Sequence, residues 1–227
     1  MTSELDSLSR RLAESASVHG AVLFGVADLT GARTKELGEL PDVTSDYPRA
    51  ISIGVALAPK IVETCIDAPT RLYAFHYRVA NARLDAITFI LSQILYSAGY
   101  SGLPIPASQI TDWEKMTGSL SHRLVGYLAG HGFIGRSRLL VNPRFGARLR
   151  LATLLTDAFL LPDAPYSGAG CADCRLCISV CPASAIGETP EEHNLNACRA
   201  KLDYFQRHLV GQHICGVCVR VCAGKGG

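Results

Sequence analysis

Cysteines dominate the part of the sequence that could carry out chemistry. Eight of the nine cysteines lie after residue 170, in the segments CADCRLCISVCP and CGVCVRVC and at Cys198 between them. The first segment has the spacing Cys-x2-Cys-x2-Cys-x3-Cys-Pro, from Cys171 to Pro182. This spacing is typical of bacterial ferredoxins, in which three thiolates hold one iron–sulfur cluster and the fourth reaches a second cluster. The sequence therefore predicts two 4Fe-4S clusters.

The second cysteine segment lacks the first cysteine of a complete repeat, because Gln212 stands three residues before Cys215. Cys198 is the available substitute. When the fourth cysteine of each run is assigned to the other cluster, the predicted ligands of one cluster are Cys171, Cys174, Cys177 and Cys222, and those of the other are Cys181, Cys198, Cys215 and Cys218. Cys65 is left over and is expected to be an ordinary buried thiol.

Zinc and disulfide bonds are the alternative uses of these cysteines. Zinc sites commonly use two separated pairs, often with His, and do not need a third Cys two residues further on. Disulfides are disfavoured because the arginine pair at Arg10 and Arg11 is followed by Glu14 and not by the apolar segment of an export signal. No apolar run approaches the roughly 20 residues of a membrane span. We therefore expect a cytoplasmic protein that makes no membrane contact.

A basic stretch precedes the cysteines. Between Lys115 and Thr156 there are seven Lys and Arg residues and no Asp or Glu, although the formal net charge of the chain is only +2. Such a stretch can attract an anionic ligand or partner, or it can be a solvated face with scattered ion pairs. Both interpretations remain open at this point.

The segment GHGFIG (130–135) matches the glycine pattern of a dinucleotide-binding turn, but its context does not fit. The preceding GSLSHRLVGYLA predicts a helix where that motif needs a strand, and Pro143 and Gly146 interrupt the helix that would have to follow. We predict that Gly130 ends the preceding helix and that Gly132 and Gly135 form a turn into a short strand at 139–141.

The remaining elements alternate between helices and strands. Leu5, Leu8 and Leu12 share one face of a first helix, the segments 20–29 and 49–58 predict buried strands, and a long helix is expected over about 69–97. ARLRLATLLTD predicts a further strand. The Pro- and Gly-rich segment 161–170 is the best boundary, which predicts an α+β chain with domains at 1–165 and 166–227.

Several of these motifs together carry a family resemblance. LSHRLVGYLAGHGFIGRSRLLVNPRFGARLRLATLLTDAFL (120–160), CADCRLCISVCPASAI, Cys198 and CGVCVRVC resemble the epoxyqueuosine reductases and their relatives, the reductive dehalogenases, over about half of the chain. The resemblance implies a nitroreductase-like α/β domain of the cobalamin-binding type, followed by a bacterial ferredoxin-like domain with two clusters. It also implies that the glycine turn faces the corrinoid. The residues expected at the cofactor are Gly130, His131, Gly132, Gly135, Arg136, Arg148 and Arg150.

This chain departs from the family pattern in two ways. Epoxyqueuosine reductases carry a helical-repeat tail for tRNA after the clusters, whereas this chain ends five residues past Cys222, so a short form of the family is expected. They also carry an Asp as proton donor before the Ser-His-Arg-like helix, where this chain has GLPIPAS. Tyr77, His122 and His131 are the alternative proton donors, with Tyr77 and His122 as the expected catalytic pair, although such residues are more often structural.

Three functions are compatible with these features. The first is an oxidoreductase resembling the cobalamin-dependent reductases, which receives electrons from a low-potential donor such as flavodoxin or ferredoxin and reduces a small-molecule or tRNA-borne substrate. The second is a non-catalytic electron-transfer or corrinoid-reducing protein. The third is a flavin-dependent reductase, since nitroreductase-like folds commonly hold flavin.

Overall fold

The computed structural model describes residues 2–30, 37, 46–112, 114–222 and 224, which fall into two compact units. Unit 1 comprises Met1–Val55, Asn81–His131 and Arg150–Tyr166. Unit 2 comprises Ala56–Ala80, Gly132–Leu149 and Ser167–Gly227, and so contains the cysteine-rich segment together with two earlier segments. The linear division into 1–165 and 166–227 stays a prediction.

The described strands are short, and most of them lie in unit 1. They are β1 (Leu23–Asp28), β2 (Arg49–Ala56), β3 (Gly102–Ile105), β4 (Phe133–Ile134), β5 (Leu140–Val141) and β6 (Leu149–Thr156). The strands predicted at 20–29, at 49–58 and in ARLRLATLLTD are confirmed as β1, β2 and β6. The predicted strand at 139–141 is confirmed as β5, whereas β4, which pairs with it, was not predicted.

The described helices vary widely in length. They are α1 (Thr2–Val18), α2 (Pro59–Val62), α3 (Arg71–Ser97), α4 (His122–Leu128), α5 (Leu176–Val180), α6 (Leu195–Phe205) and α7 (Val217–Val221), and a π-helical turn, Gln206–Val210, continues α6. The predicted long helix is confirmed as α3. It begins where the Thr70 hydroxyl accepts the amide of Tyr73 at 3.1 Å, and Gly99 follows its end with a φ of 85°. None of the described helices is long and apolar enough to cross a bilayer.

Unit 1 is built around one sheet with the strand order β1-β2-β6-β3. β1 pairs antiparallel with β2, and β3 pairs antiparallel with β6. Helices α1 and α4 pack against β1. The core beneath α4 combines residues of β1, β2, β6 and α4, including Ala27, Ala50, Val125 and Leu155. Burial of these apolar side chains holds α4, whose first residue is the predicted site residue His122, against the sheet.

Unit 2 consists of short helices and one hairpin. β4 pairs antiparallel with β5, so that Phe133 lies opposite Val141 and Ile134 opposite Leu140. Helix α7 packs against α5 and α2, with Val217 and Val219 buried. The short helices place cysteines at their ends, which is where the chain can turn several thiols toward a common ligand.

Candidate functional site

The first group of cysteines is built from two separate segments of unit 2. Cys171 and Cys174 belong to a turn in which the amide of Cys174 donates to the carbonyl of Cys171 at 3.0 Å, Cys177 is the second residue of α5, and Cys222 follows α7. Burial raises the pKa of the Cys177 thiol to about 11, and Cys171, Cys222 and Cys174 raise that pKa further through like charge. These four thiols therefore lie close enough to repel one another as thiolates.

The second group of cysteines adjoins the first. Cys181 directly follows α5, and Cys198 lies in α6. Asn194 caps α6 by accepting the amide of Ala197 at 3.0 Å. The remaining two members are Cys215, two residues before α7, and Cys218 within α7. Burial raises the pKa of Cys215 to about 11, and the charges of Cys198, Cys181 and Cys65 raise it further. Burial also raises the pKa of Cys218, with further contributions from Cys215, Cys198, Cys177 and Cys181.

These cysteine groups do not form a site for one ion. Within the described part of the chain, no three or more His, Cys, Asp or Glu side chains are arranged to hold a single metal ion. In a four-iron cluster each iron takes one thiolate, so its ligands surround a cluster and do not converge on one point. The assignment of the eight cysteines as cluster ligands stays a prediction.

The three glycines of the predicted turn lie close to their own chain. A Cβ at Gly130, where φ is 76°, would come 2.8 Å from the carbonyl oxygen of Ala164 in unit 1. In unit 2, a Cβ at Gly132 would overlap the carbonyl oxygen of Val141, and one at Gly135 would lie 2.8 Å from Cγ2 of Val141 and 3.3 Å from Sγ of Cys171. Close packing thus accounts for each glycine, and Gly135 leaves room beside a predicted cluster ligand.

His122 is held in unit 1 by both of its ring nitrogens. Nδ1 lies 2.8 Å from Oγ1 of Thr153, and Nε2 lies 2.9 Å from the carbonyl oxygen of Pro106. Because a carbonyl can only accept, Nε2 donates to Pro106 and Nδ1 accepts the Thr153 hydroxyl. Burial lowers the pKa of His122 to about 4, so this imidazole is neutral at physiological pH.

The other candidate proton donors also have structural contacts. His131 is buried in unit 1, where its Nε2 lies 3.1 Å from the carbonyl oxygen of Ser52, and burial lowers its pKa. Tyr77 is half-buried on the part of α3 that belongs to unit 2, with its ring centroid 6.3 Å from that of Tyr73. Of the predicted proton donors, His122 and His131 therefore lie in unit 1 and Tyr77 lies in unit 2.

The arginines predicted at the cofactor bind groups of their own unit. Arg150 donates to Oδ1 of Asn81 at 2.9 Å and to the carbonyl of Ala107 at 3.2 Å in unit 1. In unit 2, Arg148 donates to the carbonyl of Arg220 at 2.5 Å, and Arg136 donates to the carbonyls of Ala172 and Cys174, each at 2.9 Å. The basic stretch thus supplies side chains that fix backbone segments.

Four residues near the predicted cluster ligands, namely Cys65, Tyr73, Gly216 and Arg220, were not predicted as site residues from the sequence. Cys65 is fully buried, and its carbonyl accepts Nε of Arg220 at 3.1 Å. Gly216 adopts a φ of 86°, and a Cβ there would lie 2.8 Å from the Tyr73 ring and 3.0 Å from Sγ of Cys65. Only the residue type of Cys65 gave a signal, since these contacts join positions far apart in the sequence.

Comparison of the sequence with known proteins finds relatives of two kinds. The epoxyqueuosine reductase of Staphylococcus aureus (strain NCTC 8325) is 32% identical over 114 residues, which are 47% of this chain and 30% of that protein. The tetrachloroethene reductive dehalogenase of Desulfitobacterium hafniense is 33% identical over 112 residues, which are 42% of this chain and 20% of that protein. The matched part thus spans less than a third of these relatives. No family model matches the sequence.

Solved structures share the fold over a larger part of the chain. An epoxyqueuosine reductase determined with a modified tRNA stem loop has a TM-score of 0.65 and 22% identity, covering 98% of this chain and 66% of that chain. A reductive dehalogenase, described with a mechanism for B12-dependent dehalogenation, has a TM-score of 0.59 and 18% identity, covering 78% of this chain and 25% of that chain. The resemblance predicted from the sequence is therefore confirmed, and the mixed α/β fold is one that these proteins share.

Proposed function

We propose that this homologue of epoxyqueuosine reductases and reductive dehalogenases is an iron–sulfur oxidoreductase that passes electrons through two 4Fe-4S clusters to cobalamin. The observation that carries the proposal is that eight cysteines of unit 2 lie in two adjoining groups. Within these groups, the charges of neighbouring cysteines raise the pKa of Cys177, Cys215 and Cys218. One cluster would be held by Cys171, Cys174, Cys177 and Cys222, and the other by Cys181, Cys198, Cys215 and Cys218.

The chemistry of the cysteine groups fits iron–sulfur clusters. Thiols whose pKa is near 11, such as Cys177 and Cys215, carry protons at neutral pH, so ligation must release those protons, and iron supplies the positive charge that holds four thiolates together. Gly135 leaves space beside Sγ of Cys171. When bound, the clusters accept and release single electrons at potentials set by the charge and hydrogen bonds around their sulfurs.

Buried apolar residues flank part of the second cysteine group, whose four cysteines are themselves half-buried. Val217, Val219 and Ile214 are buried around Cys215 and Cys218. Low solvent access disfavours the additional negative charge of a reduced cluster and so lowers its reduction potential. A low potential suits the transfer of electrons to a strongly reducing cofactor, and it requires a low-potential donor such as flavodoxin or ferredoxin.

Cobalamin is proposed as the electron acceptor on the strength of the relatives. One structural neighbour is described with B12-dependent dehalogenation. We also propose that the chain consists of a nitroreductase-like domain followed by a ferredoxin-like domain. Contacts with the protein's own chain account for the glycines and arginines predicted at the corrinoid, so no step is assigned to those residues. Tyr77 is proposed as a proton donor to the substrate, and the same role for His122 stays a prediction.

The substrate class follows from the same two groups of relatives. One neighbour was solved with an epoxyqueuosine-modified tRNA stem loop, and one relative is a tetrachloroethene reductive dehalogenase. We therefore propose reductive chemistry on a tRNA-borne epoxide or on a halogenated small molecule. Both substrates need two electrons, which the clusters can deliver one at a time.

A titration with cob(II)alamin tests this proposal. The anaerobically reconstituted protein is titrated and followed by electron paramagnetic resonance. The expected result is the signal of cobalamin with its lower base detached at micromolar cofactor, with conversion to the fully reduced form when a strong reductant is added. Absence of cobalamin binding by a protein that holds both clusters would contradict the assignment of the acceptor.

A non-catalytic electron carrier is the second candidate function. His122 uses both ring nitrogens in structural hydrogen bonds, and burial lowers its pKa to about 4, which makes it a poor proton donor at neutral pH. A carrier would hold both clusters and reduce an added corrinoid protein, yet it would not turn over either substrate. Assaying both activities on one preparation separates the two functions.

A further inference from the structure

The residues Gly135 and Arg136 lie directly against the loop that carries Cys171 and Cys174, all within unit 2. A Cβ at Gly135 would stand 3.3 Å from Sγ of Cys171. The amide of Gly135 donates to the carbonyl of Leu139 at 2.9 Å, which ties this position to the β4–β5 hairpin. The hairpin thus presents the next residue, Arg136, to the cysteine loop.

Arg136 binds this loop with both terminal nitrogens of its guanidinium group. Nη1 donates to the carbonyl of Cys174 and Nη2 to the carbonyl of Ala172, each at 2.9 Å. The side chain is only 12% exposed, so water competes little for these hydrogen bonds. Two hydrogen bonds from one planar group to two carbonyls fix the direction of the loop as well as its distance from the hairpin.

The loop needs such support because of its backbone conformation. Ala172 has a φ of 45°, in the left-handed region that is unfavourable for a residue with a Cβ. The carbonyl of this residue is one of the two that Arg136 binds. The guanidinium therefore stabilises the conformation that turns Cys171 and Cys174 toward a shared ligand.

The positive charge of Arg136 is only partly balanced. Oε2 of Glu188 lies 3.5 Å from Nε of Arg136, but the same carboxylate pairs more closely with Arg175, at 2.8 Å. Glu188 is 50% exposed, so solvent weakens its effect, whereas Arg136 is mostly shielded. A cation thus remains beside the first cysteine group.

We infer that Arg136 is a positioning residue for the cluster of Cys171, Cys174, Cys177 and Cys222, and that its charge raises the reduction potential of that cluster alone. This inference rests on the proposed function. A reduced cluster carries one more negative charge than an oxidised one, so a nearby cation stabilises the reduced form. Gly135 and Arg136 accordingly belong to the iron–sulfur site.

Single-cluster backgrounds test the inference. Cys198→Ser should leave only the first cluster, and Cys177→Ser only the second. Arg136→Gln, Arg136→Lys and the control Arg144→Gln are each introduced into both backgrounds of the full-length chain. Arg144 belongs to the same basic stretch but is exposed and stacks on Phe145 with 4.9 Å between its Cζ and the ring centroid. Iron content and the midpoint potential of each cluster are measured by redox titration with electron paramagnetic resonance.

The expected result is specific to one cluster. In the Cys198→Ser background, Arg136→Gln should lower the midpoint potential and increase the loss of iron on dilution, whereas Arg136→Lys should preserve more of the potential than of the iron retention. In the Cys177→Ser background, and for Arg144→Gln in either background, both quantities should stay unchanged.

Two outcomes would overturn the inference alone: an unchanged first cluster in Arg136→Gln, or equal shifts of both clusters. If the unmutated protein incorporates no clusters on reconstitution, the proposed function fails together with this inference. The iron content of the unmutated protein therefore distinguishes the two failures.

Discussion

At the scale of single residues, the polar candidates make contacts with the protein's own chain that bear on their predicted roles. His122 illustrates this, because its two ring nitrogens are engaged by Thr153 and Pro106. Its residue type suggested a proton donor, and only the structure shows that burial lowers its pKa to about 4. The partners of His122 are 31 and 16 positions away along the chain, so no local pattern could have predicted them.

The lowered pKa of His122 predicts a loss of stability in mild acid. The imidazole titrates at about 4 in the folded state and near its ordinary 6.5 in the unfolded chain. The stabilisation that the neutral His122 gives to the folded state is therefore complete above pH 6.5 and is lost as the pH falls from 6.5 toward 4. Between pH 7.5 and 5.5, the free energy of unfolding should fall by about 1 kcal/mol more in the native protein than in His122→Gln.

Anaerobic urea unfolding at the two pH values measures this difference. Gln keeps one donor and one acceptor at this position but does not titrate. His208→Gln is the matched control, because it makes the same substitution at an exposed histidine. Equal losses in the native protein and His122→Gln would refute the prediction.

At the scale of elements, the glycine before α7 joins two distant segments of unit 2. Gly216 has a φ of 86°, and its missing Cβ makes room for the Tyr73 ring and Sγ of Cys65. Gly211 has a similar φ of 69° but nothing within 4 Å of its Cβ position. The pair therefore separates the conformational cost of a left-handed residue from the cost of a steric overlap.

Gly216→Ala should destabilise unit 2 and the cluster that uses Cys215 and Cys218. Gly211→Ala should cost roughly 1–2 kcal/mol for the backbone conformation alone, and Gly216→Ala should cost about 1–3 kcal/mol more from overpacking. Urea midpoints and iron retention of the two variants provide the measurement. Equal destabilisation with full iron retention in both would show that the close approach at Gly216 is not required.

The regular elements could be predicted from sequence because their signals are local. The apolar periodicity of α3 and the β-branched runs of β1 and β2 lie within single windows of the chain. β4 was missed because two residues are too few to show an alternation. The target of Arg136 was missed because it lies 36 to 38 positions away.

At the scale of the whole molecule, the cysteine-rich segment does not form its unit alone. Unit 2 also takes in Ala56–Ala80 and Gly132–Leu149, which contribute Cys65, Tyr73, Gly135 and Arg136 to the surroundings of the cysteines. Composition marks the break at 161–170, whereas contacts between distant segments leave no local signal. The cysteine spacing predicted which residues could bind a cluster, and the hairpin that supports them had to be observed.

The central claim is that two groups of four cysteines each hold one 4Fe-4S cluster, and paired substitutions test it most directly. Iron and acid-labile sulfide are determined per chain after anaerobic reconstitution, with about eight of each expected in the native protein. Cys177→Ser with Cys222→Ser should retain about four iron, the same as either variant alone, because both residues serve one cluster. Cys177→Ser with Cys198→Ser should retain almost none. Loss of both clusters in the first pair, or retention of one intact cluster in the second, would contradict the account.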